Sequence, residues 1–126
     1  MSTKVLIVDD EKDFLDIMAE RMRARGMDVS TATSAEDALQ MVQTESYDAV
    51  IMDFMMPEMD GFTALKLFKE ARPDVPIILL TANVPEEKCI EAINLGAMDI
   101  IEKPADLNLL TQKIEEAKNL KIIQPK

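Results

Sequence analysis

At 126 residues, with 48% hydrophobic and 30% charged side chains, the chain has the length and balance of one folded globular domain and too little length for two. Acidic residues outnumber basic ones 24 to 14, and the net charge of −10 argues against direct binding to nucleic acid or to an anionic membrane surface. There is no histidine and a single cysteine, Cys89, which excludes a histidine-based triad, a His-ligated zinc site, a histidine pH switch and an internal disulfide.

In chain order, short apolar runs alternate with amphipathic stretches. The first run, Lys4–Asp9, reads as a strand; it is too short for a secretory core or a membrane span, so a reducing cytoplasm is the expected setting. After Asp10, a first helix places Phe14, Met18 and Met22 four apart with Leu15 beside them. A weaker, more polar run at Asp28–Ala32 suits an edge strand. Ser34 then reads as the N-cap of a second helix, with Asp37 three residues on and Ala35, Ala38, Leu39 and Val42 as its apolar stripe. The third strand is Ala49–Asp53, and Asp60-Gly61 turns the chain into a third helix carrying Leu65 and Phe68. Pro76–Thr81 is the fourth strand, followed after Pro85 by a fourth helix whose apolar residues are Cys89, Ile90 and Ile93 and which ends at Gly96. Met98–Glu102 is the fifth strand, and a fifth helix from about Asp106 carries Leu107, Leu110, Ile114 and Ala117. Most of the ten methionines read as core fillers.

Five repeats of strand and helix predict a doubly wound five-stranded parallel sheet with helices on both faces. The common order is 2-1-3-4-5, and ligands then bind at the carboxyl ends of the first and third strands, where the order reverses. The first strand ends in Asp9-Asp10 and the third in Asp53, so topology alone gathers three carboxylates at that point. Two like charges about 4 Å apart cost on the order of 4 kcal/mol at an effective dielectric of 20. A hard divalent cation with oxygen ligands relieves this, and Mg2+ fits best where a phosphoryl oxygen completes the octahedron. The competing reading is that Asp9 and Asp10 merely cap the first helix.

Thr81-Ala82 closes the fourth strand, placing a hydroxyl donor next to any oxygen held at Asp53 and leaving the approach open at Ala82. Lys103 closes the fifth and offers an ammonium to the carboxylates or to a phosphoryl group on one of them. Pro104 after it makes Lys103–Pro104 a candidate cis peptide that would aim the lysine across the site. The loop from Asp53 to Gly61 is stiffened by Pro57 and rich in methionine, which suits packing over a site edge.

Asp9-Asp10, Asp53 with Met56-Pro57 and Met59-Asp60-Gly61, Thr81-Ala82 and Lys103-Pro104 together resemble the receiver domain of bacterial response regulators, CheY-like proteins of two-component signal transduction, over nearly the whole chain. The resemblance implies a single receiver domain over 1–126, with 120–126 a short tail. It implies that Asp53 accepts a phosphoryl group from a histidine kinase, a phosphotransfer protein or a small phosphodonor. Asp10, Asp53 and the backbone carbonyl of Met55 are the implied Mg2+ ligands, with Asp9 acting through water. Lys103 is the implied partner of the phosphoryl oxygens and Thr81 the switch hydroxyl. A downstream protein would dock on the fourth helix, fifth strand and fifth helix.

Two departures matter. The family's switch aromatic, three residues before the lysine, is here Ile100. Met55 and Asn83 stand at the family's tuning positions, implying a shielded acyl phosphate and slow self-dephosphorylation. The alternatives are a Mg2+-dependent phosphatase of the haloacid dehalogenase type, which wants an acid where Met55 stands and a cap domain; a flavodoxin-like flavin carrier, which wants phosphate donors where Asp-Asp-Glu-Lys-Asp stands; and a degenerate receiver serving only as a binding module. The tail is too short for an output module, so the chain is either a stand-alone receiver, which Met1 favours, or one excised from a longer regulator.

Overall fold

The protein is described here by a computed structural model covering residues 3–56, 59–82, 85–103 and 106–123, with side chains placed through residue 119. Pro57, Asn83 and Pro104 lie outside the described residues, as does the tail beyond 123. The chain runs β1 (Lys4–Val8), α1 (Lys12–Ala24), β2 (Asp28–Ala32), α2 (Ala35–Thr44), β3 (Ala49–Asp53), β4 (Met55–Met56), β5 (Met59–Asp60), α3 (Gly61–Ala71), β6 (Ile77–Thr81), α4 (Glu86–Asn94), β7 (Asp99–Glu102) and α5 (Leu107–Ile123).

The main sheet is five-stranded and parallel, in the order β2-β1-β3-β6-β7, the arrangement expected from five βα repeats. The two-residue strands β4 and β5 form a separate antiparallel ribbon, Met55 opposite Asp60 and Met56 opposite Met59. This ribbon was not expected; two residues are too few for hydrophobic alternation to register.

Side-chain alternation divides the core between the two faces of the sheet. Leu6, Val8, Val50, Met52, Ile77 and Leu79 pack with Ala35, Ala38, Val42, Ala64, Leu65 and Phe68 beneath α2 and α3. Val5, Ile7, Ile51, Ile78, Leu80 and Ile101 pack on the opposite face with residues of α1 and α5, among them Leu15, Met18, Met22, Leu110 and Ile114. Burial on both faces explains the nearly continuous apolar sequence of β1, β3 and β6.

Local chemistry fixes the helix ends. Ser34 Oγ accepts from the Asp37 N–H at 3.1 Å, and Asp60 accepts from the Phe62 N–H at 3.3 Å. Gly96, at φ +112°, follows α4 in the left-handed region. At the C-terminus of α2, Arg72 reaches across to donate to the carbonyls of Val42 (2.8 Å) and Glu45 (3.4 Å), while its guanidinium pairs with Asp74.

Helix α4 departs from expectation. Ile90 and Ile93 are 56% and 46% exposed, Cys89 is half-buried, and the helix buries Ala92 instead. The stripe read from the sequence is real as spacing, but its two isoleucines face outward.

Candidate functional site

At the carboxyl edge of the sheet, β1 ends one residue before Asp9 and β3 ends at Asp53. One carboxylate oxygen from each of Asp9, Asp10 and Asp53 lies within 4.8 Å of the other two. Asp9 and Asp53 are buried, and Asp10 is exposed at the mouth of the cluster. The helix-capping alternative does not describe these residues: the N-cap of α1 is Glu11, which has no side-chain cap. Asp9 instead bends the chain, its Oδ1 accepting from the Glu11 N–H at 2.9 Å.

Lys103, just past β7, reaches into the cluster. Its Nζ donates to Asp9 Oδ2 at 2.9 Å and to Asp53 Oδ2 at 3.3 Å, and its side chain is only 16% exposed. The Lys103 N–H donates to the Thr81 carbonyl at 2.7 Å, which ties the start of the lysine to the end of β6. Nζ also stands 4.6 Å from the centroid of the Phe14 ring.

The electrostatics follow from this packing. Burial pushes the Asp53 carboxyl above its ordinary range, and the Asp9 charge pushes the same way; the Met55 N–H, donating to Asp53 Oδ1 at 3.1 Å, and the Lys103 ammonium pull it back only in part. For Lys103, burial works against the charged form, but the Asp9 hydrogen bond and the charges of Asp53 and Asp9 outweigh it and raise its pKa. Three carboxylates against one ammonium leave two negative charges in a poorly hydrated cluster. The donor set contains oxygen alone, with one exposed member giving access from solvent, and this fits a hard divalent cation.

Thr81 stands at the end of β6 with its side chain turned into the core. It is 2% exposed, and its Oγ1 is buried with no hydrogen-bond partner among the described residues, so it makes no bond to Asp53. Strand alternation explains this: Thr81 shares a face with Ile77 and Leu79 and lines a groove of about 450 Å³ between α4 and β7, with Cys89, Ile90, Ile93 and Ile100. Ala82 is exposed beside it, and Met55, next but one to Asp53, is 65% exposed. Met56 is buried in the core and Met59 packs against it, so the loop methionines anchor the ribbon from below while Met55 stands outside. A second groove, about 580 Å³ between α1, β2 and α2, is walled by Lys12, Asp16, Thr31, Asp37 and Gln40 and includes none of the carboxylates of the cluster.

An open parallel sheet with an oxygen-only acidic cluster and one ammonium at its switch point defines a class of α/β domains suited to handling a phosphoryl group beside a divalent cation. A family model described as the response regulator receiver domain matches residues 5–115. The chain is 42% identical over 102 residues to the response regulator SaeR of Staphylococcus epidermidis, covering 81% of this chain and 44% of that protein. It is 37% identical over 113 residues to the transcriptional regulatory protein ZraR of Salmonella typhimurium, covering 90% of this chain and 26% of that one. A response regulator receiver domain protein from Clostridium thermocellum superposes with a TM-score of 0.90 at 30% identity, covering 96% of this chain and 98% of that one. The chain belongs to the receiver domain family of two-component response regulators, modules of phosphorylation-dependent signalling. It spans less than half the length of these two curated relatives. Among the described residues no helix is long and apolar enough to cross a membrane.

Proposed function

We propose that Asp53 is the phosphoacceptor of this receiver. The observation that carries the reading is the meeting of Asp9, Asp10 and Asp53 with the Lys103 ammonium at the switch point of the sheet. An Asp53 carboxylate oxygen attacks phosphorus in line, the phosphorus–oxygen bond forms, and the bond to the donor breaks. The donor is a phosphohistidine on a histidine kinase or phosphotransfer protein, or a small acyl phosphate. Lys103, already held beside Asp53, neutralises the oxygens of the transferred group.

Asp10, Asp53 and the Met55 carbonyl would hold Mg2+, with Asp9 acting through water, and the ion would neutralise charge on the incoming phosphoryl oxygens. Thr81, whose hydroxyl has no partner among the described residues, gains one by turning to a phosphoryl oxygen, which couples the site to the groove it lines. With Ile100 where an aromatic ring is usual, that coupling runs through α4 and β7 packing. The downstream protein docks on the face of α4, β7 and α5, where Ile90 and Ile93 stand exposed. Met55 shields the acyl phosphate and Asn83 supplies no carboxylate to orient water, so Asn83→Glu should shorten its lifetime.

The chain takes part in its own phosphotransfer and dephosphorylation and turns over no separate substrate. Residues 1–126 act as one receiver domain in the cytoplasm, and its charge of −10 keeps this module itself off nucleic acid and membranes. Incubation with Mg2+ and acetyl phosphate, followed by intact-mass measurement, tests the assignment. One phosphoryl adduct on the wild type and none on Asp53→Asn is the expected result; equal adducts on both would move the acceptor elsewhere.

A further inference from the structure

Phe14 lies in the first turn of α1 and reads from the sequence as the top of an apolar stripe with Met18 and Met22. Packing accounts for only part of its environment. Its ring is half-buried against the cluster formed by α1, α5 and the sheet, and Lys103 Nζ stands 4.6 Å from the ring centroid. The same nitrogen donates to Asp9 and to Asp53. An ammonium has three N–H bonds; two directions are taken by carboxylates, and an aromatic ring lies close on another side.

We propose that Phe14 is a positioning residue for Lys103: its ring seats the ammonium against Asp9 and Asp53, so that the lysine is aimed at the acceptor before a phosphoryl group arrives. The inference rests on the proposed role of Asp53 and adds the element that orients its cationic partner. Its physical basis is the freedom of lysine. Four rotatable bonds let the head group of an unrestrained lysine sample many positions in water, and the two carboxylates attract it without fixing which oxygen it serves. A ring presents an extended negative face that is attractive over an area yet excludes water from that side. The ammonium therefore stays desolvated next to Asp53, yet it is free to slide from the carboxylate oxygen to a phosphoryl oxygen a short distance away. A carboxylate in place of the ring would compete with that movement; an aliphatic side chain would fill the core equally well and leave the head group unheld.

The test uses the whole chain and two variants, Phe14→Leu, which keeps apolar bulk and removes the ring, and Phe14→Tyr, which keeps the ring. The first readout is the NMR resonance of the Lys103 ε-methylene protons in unphosphorylated protein, assigned by its disappearance in Lys103→Arg. In the wild type these protons are expected upfield of other lysines through the ring current. In Phe14→Leu they should return to the common position, and in Phe14→Tyr they should remain upfield. The second readout is the rate of phosphorylation by acetyl phosphate with Mg2+. Phe14→Leu should be slower by roughly fivefold, equivalent to about 1 kcal/mol, and Phe14→Tyr should restore most of the rate. A wild-type resonance at the common lysine position overturns the proposal without need of any variant. A rate loss of equal size in Leu and Tyr also overturns it, because that pattern is lost packing. Failure of the wild type to take up a phosphoryl group would instead sink the acceptor assignment, and the resonance would still judge the ring.

Discussion

Replacing Thr81 by valine should stabilise the resting protein. The Thr81 hydroxyl is buried at the end of β6 with no partner among the described residues. A buried hydroxyl that makes no hydrogen bond costs about 1–3 kcal/mol relative to a satisfied one. Valine has nearly the same shape, keeps the strand preference for β-branching, and sets a methyl group against the apolar wall of Cys89 and Ile100. Local relaxation recovers part of the cost, so a gain of about 1 kcal/mol is expected, near the low end. For a 126-residue chain this corresponds to a rise of about 3–5 °C in Tm. The assay is thermal and urea unfolding, followed by far-UV circular dichroism, of unphosphorylated protein in chelator. The same change should reduce the extra stability that a bound phosphoryl analogue confers, because valine has no hydroxyl to offer its oxygens. A Thr81→Val protein of equal or lower stability would refute the reasoning: the hydroxyl would then have a partner in the resting state.

Asp53→Asn should stabilise the metal-free protein near neutral pH, because the folded state raises the pKa of Asp53 mainly through burial and thereby bears a cost for its charged form. That cost is full above the raised pKa, shrinks as pH falls through it, and is gone below the ordinary carboxylate value of about 3.9, so the variant's advantage should fade over that window in urea melts. An advantage that does not change with pH would contradict it. Arg72→Met should cost about 1–2 kcal/mol in urea unfolding by releasing the Val42 and Glu45 carbonyls at the end of α2, and an unchanged midpoint would count against that role. Gly61→Ala would set a Cβ 2.5 Å from the Phe54 carbonyl oxygen, so it should cost about 2–3 kcal/mol and slow phosphorylation of the adjoining Asp53. By contrast, Gly26→Ala meets nothing within 4 Å and should cost only about 1 kcal/mol, from its φ of +90°. Equal losses for the two glycines would remove the packing argument.

The strands were legible because each core strand is covered on both faces and so reads as an unbroken Val/Ile/Leu/Met run, while the polar β2 sits at the edge of the sheet. Strand order then follows from the repeat, and with it the meeting of Asp9, Asp10 and Asp53. The outward face of α4 was not legible. Spacing shows that Cys89, Ile90 and Ile93 lie near one another, but it carries no information on how the helix is rotated. Ala92, small enough for close approach to the sheet, takes the inner position and leaves both isoleucines in solvent. The inward turn of the Thr81 hydroxyl escaped for a related reason: the end of a strand fixes where a residue stands, while the parity of the strand decides which face its side chain takes. Phe14 escaped because an aromatic at a helical core spacing is already explained by burial. The signal that could have found it is its position four residues after Asp10, one helical turn from the acidic cluster.

The central claim is that the acidic cluster makes Asp53, and no other residue, the seat of a divalent-cation-dependent acyl phosphate. Reductive trapping tests this most directly: protein exposed to acetyl phosphate is treated with borohydride, which converts an aspartyl phosphate to homoserine, and its peptides are sequenced by mass. The account predicts homoserine at residue 53 when Mg2+ is present and none when the cation is chelated. Homoserine at another aspartate, or an undiminished yield at residue 53 in chelator, would contradict it.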